Sequence, residues 1–122
     1  MPKTLLAMAG ADLSPSAISS SVLILIDCQN EYVTGALPLV GVDDAMMAAQ
    51  GILRRFRDLN APIIHIQHHG NPGGAFDLDQ DRGQIDDRVA PIDGEDVIFK
   101  ALPNSFAGTA LKGRLKEIAR RD

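Results

Sequence analysis

The sequence of 122 residues has few of the features that mark disulfide-bonded, membrane-bound or nucleic-acid-binding proteins. It contains a single cysteine, Cys28, which excludes an internal disulfide and fits the reducing conditions of the cytoplasm. No apolar run is long enough to span a bilayer, and residues 1–21 lack the apolar core of a signal peptide. The net charge of −4 gives no reason to expect nucleic acid as a partner. We therefore predict one cytoplasmic domain over residues 1–122, without membrane or nucleic-acid contacts.

The sequence also lacks the short motifs that bind common cofactors. No Gly-x-Gly-x-x-Gly and no Walker loop is present, which argues against a dinucleotide or a nucleoside triphosphate. His65, His68 and His69 are close in sequence, but side chains alternate along a strand, so these three would not share one ion. The run Asp77-Leu78-Asp79-Gln80-Asp81 begins like a calcium loop but lacks the required glycine and glutamate, so a solvated acidic loop is expected. We predict neither a metal nor a cofactor.

Strands and helices alternate along the chain. Residues 22–26 are consecutive aliphatic residues, which is typical of a parallel strand buried on both faces. Residues 63–68 and 96–100 indicate two further strands, separated by a long Gly- and Asp-rich segment whose conformation the pattern does not define. Apolar residues at spacings of three and four predict two amphipathic helices. Their apolar faces consist of Met46, Ala49, Leu53 and Phe56 and of Leu111, Leu115 and Ile118. The first helix, capped by Asp43 and ended by Asn60-Ala61-Pro62, connects two strands and therefore predicts a parallel sheet.

Two opposite charges end the first and the third predicted strand, Asp27 and Lys100. Because the carboxyl ends of parallel strands meet at one edge of the sheet, both side chains can face one pocket there. An acid and an ammonium held together can activate a third group, but an ordinary ion pair between strand ends would give the same pattern. Cys28 adjoins Asp27, and since adjacent strand residues point to opposite faces, we expect its thiol to pack as a small core group.

Two stretches of the sequence resemble the isochorismatase-like cysteine hydrolases, a family that includes nicotinamidase and N-carbamoylsarcosine amidase. The first is Leu25-Ile26-Asp27-Cys28-Gln29-Asn30-Glu31-Tyr32, which is similar to the family's strand followed by Asp-x-Gln and an aromatic residue. The second is Lys100-Ala101-Leu102-Pro103-Asn104-Ser105-Phe106-Ala107-Gly108-Thr109-Ala110-Leu111, which is similar to the family's Lys, then Ser and Phe, then Thr-x-Leu. The resemblance extends from about residue 4 to the end of the chain.

The resemblance implies a Rossmann-like three-layer α/β/α sandwich with a parallel sheet, of which this chain would form the amino-terminal part. It implies that Asp27 accepts the proton of a cysteine thiol and that Lys100 stabilises the thiolate. That thiolate would attack an amide-type C–N bond of a small-molecule substrate. The resemblance also suggests residues that line the substrate pocket, namely Gln29, Tyr32, His69 and Phe106.

One part of the family pattern is not found in the sequence. The family's nucleophilic cysteine lies on a later strand and turn, and the sequence stops at Asp122, before that segment. We therefore expect a domain truncated at its carboxyl end, inactive alone and completed by the missing segment or by a homo-oligomer. The family's fourth strand lies beside the first, so the first strand would be an exposed edge. Two alternatives stay open: a cysteine-independent hydrolase that cleaves a vinyl ether, as isochorismatase does, and a non-catalytic interaction module.

Overall fold

The computed structural model describes residues 8–10 and 17–120. Within these ranges, strands and helices alternate in the order β1 (Leu23–Ile26), α1 (Val42–Asp58), β2 (Ile63–His68), β3 (Asp96–Lys100) and α2 (Leu111–Ala119). The strands lie side by side in the order β1-β2-β3, and both pairs are parallel. The predicted α/β architecture with a parallel sheet is confirmed.

β2 is the most buried strand of this sheet. Residues 63–67 are all buried, because α1 covers one face of the sheet and α2 covers the other. In β1 only Leu25 is buried, and Ile26 exposes 50% of its surface. Within the described ranges β1 pairs with β2 alone. Leu25 and Ile24 pack against the apolar cores on opposite faces of the sheet, so both faces of β1 are covered, but less completely than predicted. No described strand covers its outer edge, as the resemblance implies for the first strand.

Two apolar cores hold the helices on the sheet. The core under α1 consists of Leu25, Met46, Leu53, Phe56, Ile63 and Val89. The core under α2 consists of Ile64, Ile66, Leu111 and Ile118. Burying one such large aliphatic or aromatic side chain stabilises a fold by about 1.5–3 kcal/mol. The apolar faces predicted for both helices are confirmed, and these faces fix the helices against the sheet.

The amino-terminal end of α1 differs from the prediction. The helix begins at Val42, and Gly41, with a φ of 75°, takes the cap position without a side-chain hydrogen bond. The prediction that Asp43 is the cap is therefore wrong. Asp43 lies in the first turn, where its negative charge interacts favourably with the helix dipole. It accepts a hydrogen bond from Arg88 at 3.2 Å. At the other end, Asn60 has a φ of 52°, the left-handed conformation expected of a residue that stops a helix.

The segment between β2 and β3 is held together by its own hydrogen bonds. It contains two short 3-10 turns, Asp81–Gly83 and Asp87–Val89. Asp77 is buried and accepts the backbone N–H groups of Gly73 and Asp79, at 2.7 Å and 3.0 Å. The expectation of a solvated acidic loop is therefore wrong at Asp77, because backbone N–H groups take the place of water around its carboxylate.

Residues 1–21, for which no signal peptide is predicted, fall largely outside the described ranges. Of the helices that the structure describes, none combines the length and the apolar character needed to cross a bilayer.

Candidate active site

The carboxyl-terminal edge of the sheet brings Asp27 and Lys100 together. Lys100 is the last residue of β3, and Asp27 directly follows β1. Lys100 Nζ and Asp27 Oδ2 are 3.2 Å apart and form an ion pair. The Lys100 side chain is only 2% exposed and the Asp27 side chain 23%. Water therefore screens these two charges less than it would screen a pair on the protein surface.

Three acceptors surround the Lys100 ammonium. Besides Asp27, Lys100 Nζ lies 3.2 Å from His68 Nδ1 and 3.2 Å from the carbonyl oxygen of Leu102. The contacts with His68 and with the Leu102 carbonyl are hydrogen bonds, and the contact with Asp27 is an ion pair. The strand register explains the contact with His68, because His68 and Lys100 are paired residues of β2 and β3. Their side chains leave the sheet on the same face, and the cation is held in one position.

Asp27 has a backbone conformation that residues with a side chain seldom adopt. Its φ is 56°, in the left-handed region, while its N–H donates to the carbonyl oxygen of Ile66 at 3.0 Å. Its second carboxylate oxygen, Oδ1, is buried and has no hydrogen-bond partner among the described residues. A buried oxygen without a partner is unfavourable, and backbone strain of this kind concentrates at functional sites. Oδ1 is therefore placed to accept a proton or a hydrogen bond from a further group.

Gln29 is fully buried and connects the chain after β1 to the end of β2. Its Nε2 donates to the carbonyl oxygens of His68 and Gly83, at 2.9 Å and 2.8 Å. Its Oε1 accepts the backbone N–H of His68 at 2.9 Å. Both N–H groups of the amide are thus used by the backbone. The role of Gln29 in substrate binding stays a prediction, and what the structure shows is that it holds the end of β2 in place.

An aromatic cluster of Tyr32, His68 and Phe76 lies next to the ion pair. The ring centroids of Tyr32 and Phe76 are 5.1 Å apart, and those of His68 and Phe76 are also 5.1 Å apart, both in edge-to-face geometry. Phe76 belongs to the segment between β2 and β3 and, like Asp27, has a positive φ, 58°. The aromatic cluster thus joins this segment to the cationic end of the site.

The buried carboxylate of Glu31 holds Phe76 in place. Its Oε1 accepts the Phe76 N–H at 3.0 Å and the Arg82 Nε–H at 2.7 Å, and its Oε2 accepts the Ala36 N–H at 2.7 Å. Burial raises the pKa of Glu31, but the hydrogen bonds from Arg82 and from the two backbone N–H groups bring the pKa below its ordinary value. Gly35 allows this close approach, since a Cβ there would lie 2.2 Å from Glu31 Oε2. Glu31 is therefore an ionised anchor for the segment that carries Phe76.

Burial and charge set the protonation of the titratable side chains beside the pair. Burial, followed by the positive charge of Lys100, lowers the pKa of His68 below its ordinary value of 6.5. The imidazole is therefore neutral at pH 7, and its Nδ1 can accept a hydrogen bond from Lys100. Burial, with the negative charges of Asp27 and Glu31, raises the pKa of Tyr32. Tyr32 is accordingly a neutral hydroxyl group at pH 7.

Cys28 lies on the other side of the chain from this cluster. Its thiol packs against the core under α1. Burial raises the pKa of Cys28, and the negative charges of Asp27 and Asp86 raise it further. Because the thiolate is the reactive form of cysteine, these surroundings disfavour a reaction at Cys28.

Two of the predicted pocket residues lie at the margin of the site. The side chain of His69 is exposed, and its backbone N–H donates to the carbonyl oxygen of Lys100 at 2.8 Å. Phe106 is 52% exposed on the loop after β3 and does not join the aromatic cluster. Of the four predicted pocket residues, Tyr32 is the one that belongs to the aromatic cluster with His68 and Phe76. The roles of all four in substrate binding stay predictions.

Sequence patterns did not identify three residues that the structure brings to the site, namely Glu31, His68 and Phe76. A signal for His68 exists in the register, because it ends the strand next to Lys100. No comparable signal exists for Phe76, since its position depends on how the segment between β2 and β3 folds back on Glu31.

The three histidines have different surroundings: His65 and His68 lie on opposite faces of the sheet, as strand alternation predicts, and His69 follows the end of β2. His65 is buried on the α1 face, with its Nε2 2.8 Å from Glu95 Oε1. His68 contacts Lys100, and His69 is exposed. Over the ranges that the structure describes, no group of three or more His, Cys, Asp or Glu side chains is arranged to hold a metal ion.

Comparisons with known proteins give one family. Residues 21–122 match the sequence profile of the isochorismatase domain. The secreted isochorismatase effector Isc1 of Verticillium dahliae is 35% identical over 112 residues, which cover 90% of this chain and 58% of that protein. A streptothricin hydrolase of Streptomyces noursei is 31% identical over 90 residues, covering 73% of this chain and 32% of the relative. The crystal structure of an isochorismatase from Pseudomonas putida KT2440 has a TM-score of 0.89 at 39% identity.

The chain is shorter than these relatives. The match with the Pseudomonas putida structure covers 97% of this chain but only 61% of that protein. The match with the Verticillium dahliae effector covers 58% of the effector. The family profile nevertheless matches from just before β1 to the end of the sequence and includes both Asp27 and Lys100. The chain belongs to the isochorismatase family.

Proposed function

We propose that this chain is part of a cytoplasmic hydrolase that cleaves an amide-type C–N bond of a small molecule, with Asp27 and Lys100 as catalytic residues. The observation that carries the proposal is the ion pair of the buried Lys100 with the partly buried Asp27 at the carboxyl edge of the sheet, with Asp27 Oδ1 unbonded among the described residues. Family membership and the similarity to a streptothricin hydrolase support hydrolysis as the reaction. The proposed nucleophile is a cysteine outside these 122 residues.

Asp27 acts as the acid–base group of the proposed reaction. The thiol proton passes to Asp27, and the thiolate sulfur bonds to the amide carbonyl carbon. The C–N bond then breaks, and the proton on Asp27 goes to the leaving amine or ammonia. Water next attacks the thioester carbonyl carbon and the C–S bond breaks, which releases the carboxylic acid. The proton of the water passes through Asp27 to the thiolate. Each turnover consumes one water and restores both the thiol and the Asp27 carboxylate.

Lys100 supplies the positive charge that this reaction requires. Its ammonium, held 3.2 Å from Asp27 Oδ2, favours negative charge first on Asp27 and then on the thiolate. Because Lys100 is buried, its field is screened less than that of a surface lysine. The ion pair with Asp27 and the hydrogen bonds to His68 Nδ1 and to the Leu102 carbonyl oxygen restrict the movement of the ammonium as the charge shifts between the two groups.

Alkylation combined with substitution tests this proposal. Release of ammonia or amine is measured with a panel of small amides on purified protein that includes the proposed cysteine, before and after treatment with iodoacetamide. We expect alkylation to abolish hydrolysis in the wild type and equally in Cys28→Ala, because the reacting thiol is not Cys28. We expect Lys100→Met, which removes the charge but keeps the length of the side chain, to lower kcat/KM by roughly 10²- to 10³-fold. Unchanged hydrolysis in Lys100→Met, or loss of alkylation sensitivity in Cys28→Ala, would contradict the proposal.

A vinyl-ether hydrolase is the second candidate. It is favoured by the isochorismatases among the similar proteins and needs no thiol, since Asp27 alone can transfer the proton. Hydrolysis of isochorismate that survives alkylation but is lost in Asp27→Asn would identify this candidate. If neither amides nor vinyl ethers are turned over, the chain is better described as a non-catalytic interaction module.

A further inference from the structure

His68 makes a direct contact with the catalytic cation, with 3.2 Å between its Nδ1 and Lys100 Nζ. We propose that His68 is a positioning residue, whose imidazole Nδ1 fixes the direction in which the Lys100 ammonium faces Asp27. The kinetic consequence of this role rests on the proposed hydrolase function, whereas the contact itself does not.

The geometry of the ammonium is the first argument. The three acceptors around Lys100 Nζ come from three different places: Asp27 after β1, His68 at the end of β2, and the carbonyl oxygen of Leu102 after β3. A lysine side chain ends in a freely rotating group on a flexible stem, so two acceptors leave it more freedom than three. Without the His68 acceptor, the stem can turn away from Asp27 Oδ2. His68 thus fixes the direction in which the Lys100 ammonium faces Asp27, which the ion pair alone does not fix.

The fixed position of His68 is the second argument. Gln29 bonds both the N–H and the carbonyl oxygen of His68, and the Phe76 ring packs edge to face against the imidazole. Phe76 is in turn bonded through its N–H to the buried carboxylate of Glu31. A group that directs a flexible side chain must itself be held, and His68 is held at both its backbone and its ring.

The protonation of His68 agrees with this role. An acceptor at Nδ1 requires that the proton of the neutral ring is on Nε2. The charged and titratable groups that face His68 are Lys100 from β3, Asp27 after β1, and His69 beside it in the chain. Burial and the charge of Lys100 lower the pKa of His68, His69 lowers it further, and Asp27 opposes them. The neutral ring is thus the form present at pH 7.

Nuclear magnetic resonance of the imidazole nitrogens tests the contact without any substrate. In the wild type we expect His68 to show an unprotonated Nδ1 and a protonated Nε2, and to titrate below 6.5. In Lys100→Met we expect the Nδ1 resonance to shift and the His68 pKa to rise, because the neighbouring positive charge is gone. A wild-type ring protonated on Nδ1, or a His68 titration that Lys100→Met leaves unchanged, would overturn the proposal.

Two substitutions test the kinetic consequence. Asn places its Oδ1 near the position of His Nδ1, so His68→Asn keeps an acceptor, whereas His68→Leu has a comparable volume and none. We expect His68→Leu to lower kcat/KM by about 10- to 100-fold, the value of one hydrogen bond to a charged group. His68→Asn should recover most of that loss. It should also move the acid limb of the pH profile to lower pH, because an amide does not protonate where an imidazole does.

The outcomes separate this proposal from the proposed function. Equal losses in His68→Leu and His68→Asn would mean that the ring only fills space, and would overturn the positioning role. If wild-type protein that includes the proposed cysteine turns over no substrate, the proposed function fails, and the imidazole titration alone then decides whether His68 positions Lys100.

Discussion

Two histidines of the same strand meet opposite charges in this protein. His65 points to the α1 face of the sheet and bonds the carboxylate of Glu95, at 2.8 Å between Nε2 and Oε1. His68, three residues later, accepts a hydrogen bond from the Lys100 ammonium at 3.2 Å. Each histidine thus belongs to a buried charged cluster, the Glu95 cluster (Arg57, His65, Glu95) and the Lys100 cluster (Asp27, His68, Lys100). The two clusters differ in what their carboxylates do.

In the Glu95 cluster both oxygens of the carboxylate are bonded. Arg57 donates to Oε2 at 2.6 Å and to Oε1 at 2.9 Å, and the Ile92 N–H donates to Oε1 at 3.2 Å. Arg57 also donates to the carbonyl oxygen of Ala90 at 2.9 Å. This arrangement ties α1 to the chain that leads into β3. A paired guanidinium and carboxylate of this kind suits a structural role.

In the Lys100 cluster one carboxylate oxygen, Asp27 Oδ1, has no hydrogen-bond partner among the described residues. Over the described ranges, the buried side-chain atoms without a partner are Asp27 Oδ1 and His65 Nδ1. An unbonded carboxylate oxygen is the less favourable of the two, because it carries part of a negative charge. Asp27 also has a positive φ, which no residue of the Glu95 cluster has. A carboxylate with both oxygens bonded, such as that of Glu95, therefore stabilises the fold, whereas the Asp27 carboxylate, with one unbonded oxygen on a strained backbone, is available for chemistry.

Removing the Asp27 carboxylate should produce the largest difference between the clusters. Asp27→Asn keeps the shape of the side chain but cannot carry a proton, and we expect kcat/KM to fall by about 10²- to 10⁴-fold. Stability should fall as well, because Lys100 loses its counter-ion. Activity is therefore measured per folded molecule, with the folded fraction taken from urea unfolding. Hydrolysis per folded molecule that matches the wild type would mean that Asp27 is only an ion-pair partner.

Removing the Glu95 carboxylate should have the converse result. We expect Glu95→Gln to lower the free energy of unfolding by roughly 1–3 kcal/mol, because Arg57 and His65 lose the charge that they share. Activity per folded molecule should stay at the wild-type value, since Glu95 lies on the other face of the sheet from Lys100. Denaturant unfolding and steady-state kinetics on the same samples measure both quantities.

The acid dependence of stability gives a control for this variant. Burial raises the pKa of Glu95. The hydrogen bonds from Arg57 and His65 outweigh this effect and lower the pKa from its ordinary value of 4.5 to about 2. A carboxyl group with a lowered pKa stabilises the fold above pH 4.5, and this contribution disappears as the pH falls from 4.5 towards 2. Wild-type stability should drop through that window more steeply than that of Glu95→Gln. Parallel pH profiles would show that Glu95 is not the linked group.

The strands, the apolar helix faces and the contact of Asp27 with Lys100 were predictable from the sequence. The three strands and the apolar faces of both helices were predictable, because burial repeats at short, fixed spacings along one element. The meeting of Asp27 and Lys100 was predictable from a general rule, since parallel strands present their carboxyl ends at one edge.

Contacts that depend on the path of a loop were not predictable. Glu95 meets Arg57 across 38 positions of sequence, and Glu31 meets Phe76 across 45. Neither pair follows from a periodic pattern, because the segment between β2 and β3 has none. The prediction of Asp43 as the cap is wrong for a local reason: Gly41, with its positive φ, takes the cap position, so the helix begins at Val42.

The smallest expected effect concerns the geometry of the Glu95 cluster rather than its charge. Arg57→Lys keeps a positive charge but replaces the planar two-point contact with Glu95 by a single ammonium, and it loses the bond to Ala90. Because the Arg57 side chain is 27% exposed, we expect a loss of only about 0.5–1 kcal/mol in the free energy of unfolding. Arg55→Lys, at an exposed position of the same helix, is the matched control and should change stability by less. If the two substitutions have equal effects, the bidentate contact contributes nothing measurable, and the Glu95 cluster is stabilised by charge alone.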